Sequence, residues 1–251
     1  MTVFELLADH PQGLRVAEVA EALAVHKATA SRLLATLAAR RMIDRVPGGG
    51  YRLGPGLIRL AGIALSGLSV VSSARPELEA LVERVGETVN LAVLDMGEVL
   101  YVDQVTARHA IVTSNWVGRR SPAHCSSSGK VLLAFGSDAV RERALGKQLE
   151  RRTPRTVTDP DELRTVLADV RRRGFASAVA ELEEGLHTVA APVVVRGRAV
   201  AAVSVSGPSF RLPARELPRL GRVAMDVGRA IARRIGDEPL VDTVAVRATR
   251  R

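Results

Sequence analysis

The sequence has few aromatic residues, a single cysteine and no long uninterrupted apolar run. Its one cysteine, Cys125, cannot form an internal disulfide, which is typical of a protein from a reducing compartment. The most apolar stretch, residues 57–71, contains Arg59 and is too short to cross a membrane. The first residues also lack the pattern of a signal peptide. With 47% hydrophobic residues, the 251-residue chain predicts a soluble, cytoplasmic protein of one large or two modest domains.

The net charge of +9 is compatible with nucleic-acid binding, but its distribution does not locate a binding site. Residues 1–54 carry seven Lys or Arg and five Asp or Glu, a net charge of +2. Residues 211–234 carry seven Arg and two acids, a net charge of +5. In that segment the arginines lie opposite an apolar stripe, so we interpret most of its charge as the solvated face of an amphipathic helix.

The first fifty residues have the pattern of three short helices followed by a β-hairpin. The third helix begins at "KATASRLLATLAARR", where Ala30, Leu33, Leu34 and Leu37 form the predicted inner face. No acidic residue occurs between Ala22 and Ile43. The segment "MIDRVPGGGYRLG" predicts two short strands joined by a Gly-rich turn. This order is that of a winged helix-turn-helix, and a plain helical bundle with a basic face is the less favoured alternative.

In a winged helix-turn-helix, residues at the start of the third helix enter the major groove of DNA. Arginine, lysine and hydroxyl side chains there suit contacts with base edges and phosphates. Two further arginines flank the turn of the hairpin, where a wing approaches the sugar–phosphate backbone. The candidate DNA-binding residues are Lys27, Ala28, Thr29, Ser31, Arg32, Arg45 and Arg52.

The rest of the chain divides into a helical connector and a second domain. Residues 55–73 place apolar side chains on one stripe, which predicts a linker helix that packs against a partner chain rather than within its own. Pro76 is a tolerated first-turn residue and predicts the start of a further helix. From Val89 onward, "VNLAVLDMGEVLYVDQV" and "HTVAAPVVVRGRAVAAVSVSG" predict hairpins, and "DPDELRTVLADVRRRG" predicts a helix. The second domain is therefore expected to be mixed α/β.

The stretch "AHCSSSGKVLLAF" suggests three kinds of site. It is not a phosphate loop, because His124 and Val131 stand where that motif needs Gly and Ser or Thr. A thiol enzyme is also disfavoured, because the adjacent His124 and Cys125 do not by themselves form a nucleophile–base pair. The third interpretation is a small-molecule pocket, in which the serines precede a helix whose free N–H groups favour an anion. Ser126 is the residue most typical of a pure helix cap.

Over nearly its full length the chain resembles the IclR family of transcription regulators. The resemblance rests on the order and spacing of "HKATASRLLATL", "YRLGPGLIRL", "ETVNLAVLDMGEVLYVDQV", "VGRRSPAHCSSSGKVLLA", "RTPRTVTDPDELR", "GLHTVAAPV" and "AAVSVSGP". It implies an α/β (α+β) architecture with a winged helix-turn-helix domain at 1–54, a linker and dimerisation helix at 55–73, a GAF-like effector-binding domain at 74–236 and a flexible tail at 237–251. It also implies dimers that pair into tetramers on DNA.

The resemblance also implies an effector site. Positions matching Ser127, Ser128, Thr188, Ser204 and Ser206 help to hold the ligand in family members that bind small organic acids. Ser204 and Ser206 alternate with valines, so both hydroxyls face one side of a strand. The predicted strand 110–116 adds Thr113 by ungapped alignment.

The chain departs from the family pattern at three places. Where relatives often have Arg-Cys, it has His187 and Thr188, and where several have an acidic residue it has Ala178. The pocket would then lose a carboxylate and gain the imidazole of His187, which favours an anionic effector such as a small carboxylic or aromatic acid. Relatives also usually have several more residues in and before the first helix, which is expected to be truncated or to begin upstream of Met1.

The sequence therefore predicts a ligand-responsive regulator, a repressor, that binds an inverted-repeat operator in double-stranded DNA as a homodimer or homotetramer. We expect no cofactor, no metal site, no catalytic residues and no membrane partner. Two alternatives remain open. One is an enzyme that uses the α/β domain, and the other is a sensor whose winged helix binds protein rather than DNA.

Overall fold

The structure is a computed structural model that describes residues 2–58, 60, 69–107, 115–146 and 148–237. Contacts divide the chain into two compact units, Met1–Gly67 and Leu68–Arg251. The division falls within the predicted linker at 55–73. The predicted strand around Thr113, most of the linker stripe and nearly all of the predicted tail lie outside the described residues.

The first unit has the predicted three helices and hairpin. A capping box between Thr2 and Glu5 starts the first helix. The antiparallel strands place Asp44 opposite Arg52, and Gly48 and Gly49 take positive φ angles in the turn between them. The elements are α1 (Val3–Ala8), α2 (Val16–Ala22), α3 (Lys27–Ala39), β1 (Ile43–Arg45) and β2 (Tyr51–Leu53).

A small apolar core holds these elements together. It is centred on Leu7, Val19, Leu34 and Ile43, which are almost fully buried. The prediction that Leu33 shares this inner face is wrong, because its side chain is 40% exposed. Helix α3 packs mainly against α2 and also against β1, and Leu34 rather than Leu33 faces this core.

The described strands of the second unit form one antiparallel sheet in the order β5-β4-β3-β8-β7-β6. Its elements, in chain order, are α4 (Ser69–Val85), β3 (Thr88–Asp95), β4 (Glu98–Val105), β5 (Arg120–Pro122), α5 (Ser127–Ala134), α6 (Asp138–Leu145), α7 (Pro160–Arg173), β6 (Ala176–Val179), β7 (Leu186–Val195), β8 (Arg198–Pro208), a short 3-10 helix (Ala214–Glu216) and α8 (Leu217–Asp237). Both predicted hairpins and the predicted helix at α7 are confirmed. The short strands β5 and β6 have no predicted counterpart.

Helices cover both faces of this sheet. Helices α4 and α8 pack against each other and against the central strands. Helix α5 packs on the face that contains Ala92, Ala190 and Ala202, with α7 outside it. Because side chains alternate along a strand, every second residue of β3, β7 and β8 faces α5.

The predicted start of a new helix at Pro76 is wrong. Pro76 lies inside α4, which runs without a break from Ser69 to Val85. On either side of it, Ala74, Leu78 and Leu81 are fully buried. Their burial outweighs the one helical hydrogen bond that a proline cannot donate.

The basic segment 211–234 has the predicted amphipathic form. In α8, Leu220, Ala224, Val227 and Ile231 are buried, and Arg219 is a representative of the arginines on the exposed face. That exposure explains most of the local charge without a bound nucleic acid. Among the described residues, no helix is long and apolar enough to span a membrane.

Candidate functional site

The start of α3 presents a basic, polar surface to solvent. Four residues separate α2 from α3, and the turn between them is closed by a hydrogen bond from Val25 N to Ala20 O. His26 gives α3 no side-chain cap, and the first turn contains no acidic residue. The predicted contact residues of this helix are all exposed: Lys27, Ala28, Thr29, Ser31 and Arg32. Within the described part of the chain, neither Lys27 nor Arg32 forms an ion pair.

The two wing arginines differ in their surroundings. Arg45 donates a hydrogen bond from Nε to Tyr51 Oη at 2.9 Å, and its guanidinium lies 5.3 Å from the centre of the Tyr51 ring. This contact fixes the direction of Arg45 at the base of the wing. Arg52 is exposed on the facing strand. The fold thus brings basic side chains of α3 and of the wing together within one small unit.

In the second unit, the serine run forms the buried start of α5. Ser126 is the cap, as predicted: its Oγ accepts from Gly129 N at 3.2 Å. Ser127 and Ser128 occupy the first turn and are each 1% exposed. A Cβ atom on Gly129 would lie 2.2 Å from Ala123 O, so only glycine allows this close approach of the helix to the preceding segment.

The other predicted pocket residues lie on the sheet face that α5 covers. Ser206 is paired with Thr188 on one side and with Thr88 on the other. Ser204 is paired with Asn90, and the register puts it on the same face as Ser206. The structure therefore brings Thr188, Ser204 and Ser206 onto one face of the sheet, here called the serine patch, in which the two serines are buried and Thr188 is half-buried.

Two contacts fix the direction of α5 across this patch. Its C-terminal end is held at the start of β8, where Ala199 N donates to Phe135 O at 3.1 Å. In the middle of the helix, Lys130 Nζ donates to Ser177 O on β6 at 3.3 Å. The first turn of α5, with Ser127 and Ser128, is thus directed toward the part of the sheet that contains Ser204. The N-terminal end of a helix favours an anion.

His187 does not join this group. It precedes Thr188 in β7, so its side chain points to the opposite face of the sheet. There its Nδ1 lies 2.8 Å from Leu212 O. Ala178 is opposite Thr188 on the neighbouring strand, and it is buried. Thr113 lies outside the described residues.

A buried ion pair lies beside the serine run. Lys130 Nζ is 2.6 Å from both carboxylate oxygens of Glu181, and the two side chains are 3% and 12% exposed. The glycine–lysine pair that suggests a phosphate loop in the sequence therefore has a structural partner. Because Glu181 is 51 residues away in the chain, no local sequence pattern could have identified this pair.

The loop that carries Glu181 is itself held by two threonines. Thr153 Oγ1 donates to Ala180 O at 2.7 Å, and Thr156 Oγ1 donates to Glu181 O at 2.7 Å. One residue before Cys125, His124 Nε2 lies 2.9 Å from Glu150 O. The segment 150–156 therefore connects the start of α5 to the loop after β6.

Cys125 has the environment of a structural thiol. It is fully buried. Burial, reinforced by the carboxylate of Glu181, raises the pKa of the Cys125 thiol to about 11. A nucleophilic cysteine needs a lowered pKa, so this thiol is not activated. Among the described residues, no group of His, Cys, Asp or Glu side chains is arranged to hold a metal ion.

Asn90 is a buried polar residue on the same sheet face that the sequence analysis did not single out. It is 2% exposed, and its Nδ2 donates to Ser206 Oγ at 3.0 Å. The available signal was the alternation of β3, which places Asn90 on the same face as Ala92. A polar residue between apolar ones on a buried strand is a reason to examine that face.

Two family profiles together match almost the whole described chain. The helix-turn-helix domain of IclR matches residues 1–47. The C-terminal domain of the bacterial transcriptional regulator IclR matches residues 62–233. These ranges correspond to the unit that contains α3 and to the unit that contains the buried serine patch.

Curated and solved relatives agree with this match. The chain is 30% identical to the HTH-type transcriptional regulator XynR of Escherichia coli over 94% of this chain and 95% of that protein. It is 34% identical to BhcR of Paracoccus denitrificans over 88% and 80% of the respective chains. A crystal structure of an IclR homologue from Microbacterium hydrocarbonoxydans, complexed with 4-hydroxybenzoate, is similar with a TM-score of 0.81 and 30% identity over 90% and 92% of the two chains. The chain belongs to the IclR family of transcriptional regulators, with a DNA-binding helix-turn-helix domain and an effector-binding domain.

Proposed function

We propose that this regulator is a repressor that binds an inverted-repeat operator as a dimer or a dimer of dimers. The observation that carries the proposal is the acid-free, exposed start of α3, with Lys27 and Arg32 unpaired within the described residues. We favour repression over activation, because occupancy of an operator is by itself enough to exclude polymerase from an overlapping promoter. The place of action is the cytoplasm, where the chromosome lies.

The proposed DNA contacts follow from the fold of the first unit. In this geometry the first turns of α3 enter the major groove, where Arg32 pairs with a base edge. Lys27 and Arg52 contact phosphates, and Arg45 is pre-oriented by Tyr51. Ala28, Thr29 and Ser31 line the same exposed side of the helix.

The proposed dimer is supported by apolar side chains that the first unit leaves in solvent. Ile58 is 75% exposed and Leu60 is 42% exposed. Both lie within the predicted linker helix at 55–73, Leu60 belongs to its predicted apolar stripe, and neither side chain is buried in the part of the chain that the structure describes. A second copy would cover them, and a dimer would place two α3 helices on two half-sites.

DNA binding is tested by measuring affinity for duplex DNA as the salt concentration rises. Phosphate contacts release counterions, so the affinity is expected to fall steeply with salt. Arg32→Ala is expected to weaken binding to the preferred sequence by about 1–3 kcal/mol. Arg219→Ala removes the same charge from the exposed face of α8 and serves as the control, with no such loss. A flat salt dependence would favour the protein-binding alternative.

For the second unit, we propose a small organic acid as effector, held by Ser127, Ser128, Thr188, Ser204 and Ser206. The serine patch, on the sheet face that α5 covers, supports this site, and a similar solved protein is complexed with 4-hydroxybenzoate. His187 is not included, because it faces the other side of the sheet. Effector binding would shift the population of DNA-competent geometries only if its affinity differs between them.

Calorimetry with a panel of anionic, neutral and cationic ligands tests the effector class. Carboxylic acids are expected to bind and to change DNA affinity. Binding of neutral or cationic ligands alone would refute the anionic site. Incubation of any ligand that binds, followed by product analysis, addresses the enzyme alternative, for which the buried Cys125 thiol offers no activated nucleophile.

A further inference from the structure

One buried polar atom on the serine patch lacks a hydrogen-bond partner. Within the described residues, Asn90 Oδ1 is shielded from solvent and receives no hydrogen bond. The rest of the Asn90 side chain is held in place by the hydrogen bond from Nδ2 to Ser206 Oγ. Buried polar atoms in folded proteins nearly always have a partner, so this acceptor requires an explanation.

The hydrogen-bond network decides which end of the amide is free. Ser206 has one hydroxyl proton, and Ser206 Oγ donates it to Thr88 O at 3.5 Å. Asn90 Nδ2 donates to Ser206 Oγ at 3.0 Å, and Oδ1 is the free atom. The unsatisfied group is therefore an acceptor, and only a hydrogen-bond donor can satisfy it.

The surroundings determine what kind of donor fits. Asn90 is paired with Ser204 on β8 and with Gln104 on β4, and Ser206, Thr188 and Ala178 share its α5-facing side of the sheet. None of these side chains is a carboxylate, so a buried ammonium group would find no counter-charge there. A neutral hydroxyl fits, because it can donate to Asn90 Oδ1 and accept from a serine or threonine.

We propose that Asn90 is the residue that selects for a hydroxyl group on the effector, so that the effector is a hydroxy acid rather than a simple carboxylic acid. In this arrangement Asn90 Oδ1 accepts a hydrogen bond from the ligand hydroxyl, while the start of α5 and the serines hold the carboxylate. This inference rests on the effector site of the proposed function and names its ligand class.

Matched pairs of acids that differ by one hydroxyl test the inference on the full-length protein. The pairs are glycolate with acetate, lactate with propionate, and 4-hydroxybenzoate with benzoate, each titrated by calorimetry. For any pair that binds, the hydroxy acid is expected to bind about tenfold or more tightly, since an acceptor left unpaired by the other acid remains buried.

Two variants locate the selectivity. Asn90→Ala is expected to reduce the preference for the hydroxy acid to about twofold or less, with little change in the affinity of the simple acid. Ser204→Ala, at the paired position on the next strand, is expected to weaken both acids of a pair and to keep their ratio. The comparison of acids on the unaltered protein stands even if Asn90→Ala does not fold.

The possible results separate this inference from the function beneath it. Equal binding of both acids in a pair, or a preference that survives Asn90→Ala, would overturn the role of Asn90 while the anionic site remains. Failure of all six acids to bind would overturn the proposed effector class, and the hydroxy-acid inference with it.

Discussion

The buried ion pair between Lys130 and Glu181 gives the sharpest test of the structure of the second unit. Lys130→Met removes the ammonium group but keeps an unbranched side chain of similar length. It leaves the carboxylate of Glu181, which is 12% exposed, without its partner. It also removes the donor to Ser177 O. An uncompensated buried charge, rather than lost packing, is therefore the expected cause of any instability.

The size of the effect follows from this burial. Breaking a buried pair from one side costs about 3–5 kcal/mol. Because Glu181 keeps some access to solvent, we expect the lower end, about 3 kcal/mol. For a domain of this size, that corresponds to a fall in Tm of about 6–12 °C.

Thermal unfolding followed by circular dichroism measures this fall, with two comparisons. The double variant Lys130→Met with Glu181→Leu removes both charges and is expected to recover most of the lost stability. Arg219→Ala breaks the exposed pair with Glu216, whose partners are 61% and 41% exposed, and is expected to cost about 0.5 kcal/mol or less. If Lys130→Met melts within 2 °C of the unaltered protein, on the order of the Arg219→Ala effect, the reasoning is refuted.

Three further predictions concern single residues. The thiol pKa of Cys125 is raised to about 11, so only about one thiol in a thousand is ionised at pH 8. We therefore expect Cys125 in the native protein not to react with maleimide at pH 8. Rapid labelling of the native protein would contradict the burial of this thiol. Gly129→Ala should lower stability by about 3 kcal/mol in denaturant titration, since its Cβ would lie 2.2 Å from Ala123 O. Gly146→Ala, with its nearest atom at 3.3 Å, is the control and should cost about 1 kcal/mol or less. Lys27→Ala should reduce the slope of log affinity against log salt by about 1, measured by fluorescence anisotropy; an unchanged slope would remove Lys27 from the phosphate contacts.

The elements that sequence reasoning identified are those whose signals are local. In α7, Asp159 caps the first turn and Gly174 ends the helix with a positive φ, as residue types at those positions indicate. The hairpin turns at Gly97 and Gly197 are equally local, since glycine takes positive φ there without strain. The winged unit was predictable for the same reason.

The features that it missed depend on contacts between distant parts of the chain. The continuity of α4 through Pro76 depends on burial of Leu78 and its neighbours, which propensity alone does not show. The partner of Lys130 lies on a loop after β6, so the ion pair needs the folded sheet. His187 was assigned by analogy to the pocket, but strand alternation turns it away from Thr188. In each case the local pattern was compatible with two outcomes, and tertiary packing decided between them.

The regulatory function proposed for this protein depends on sequence-specific DNA binding by the first unit. Its most direct test is selection of genomic DNA fragments by the purified protein at physiological salt, followed by sequencing, with Arg32→Ala selected in parallel. We predict enrichment of a short inverted repeat by the unaltered protein and its loss or strong reduction with Arg32→Ala. No enriched sequence, or an identical enrichment by both proteins, would contradict the role assigned to α3.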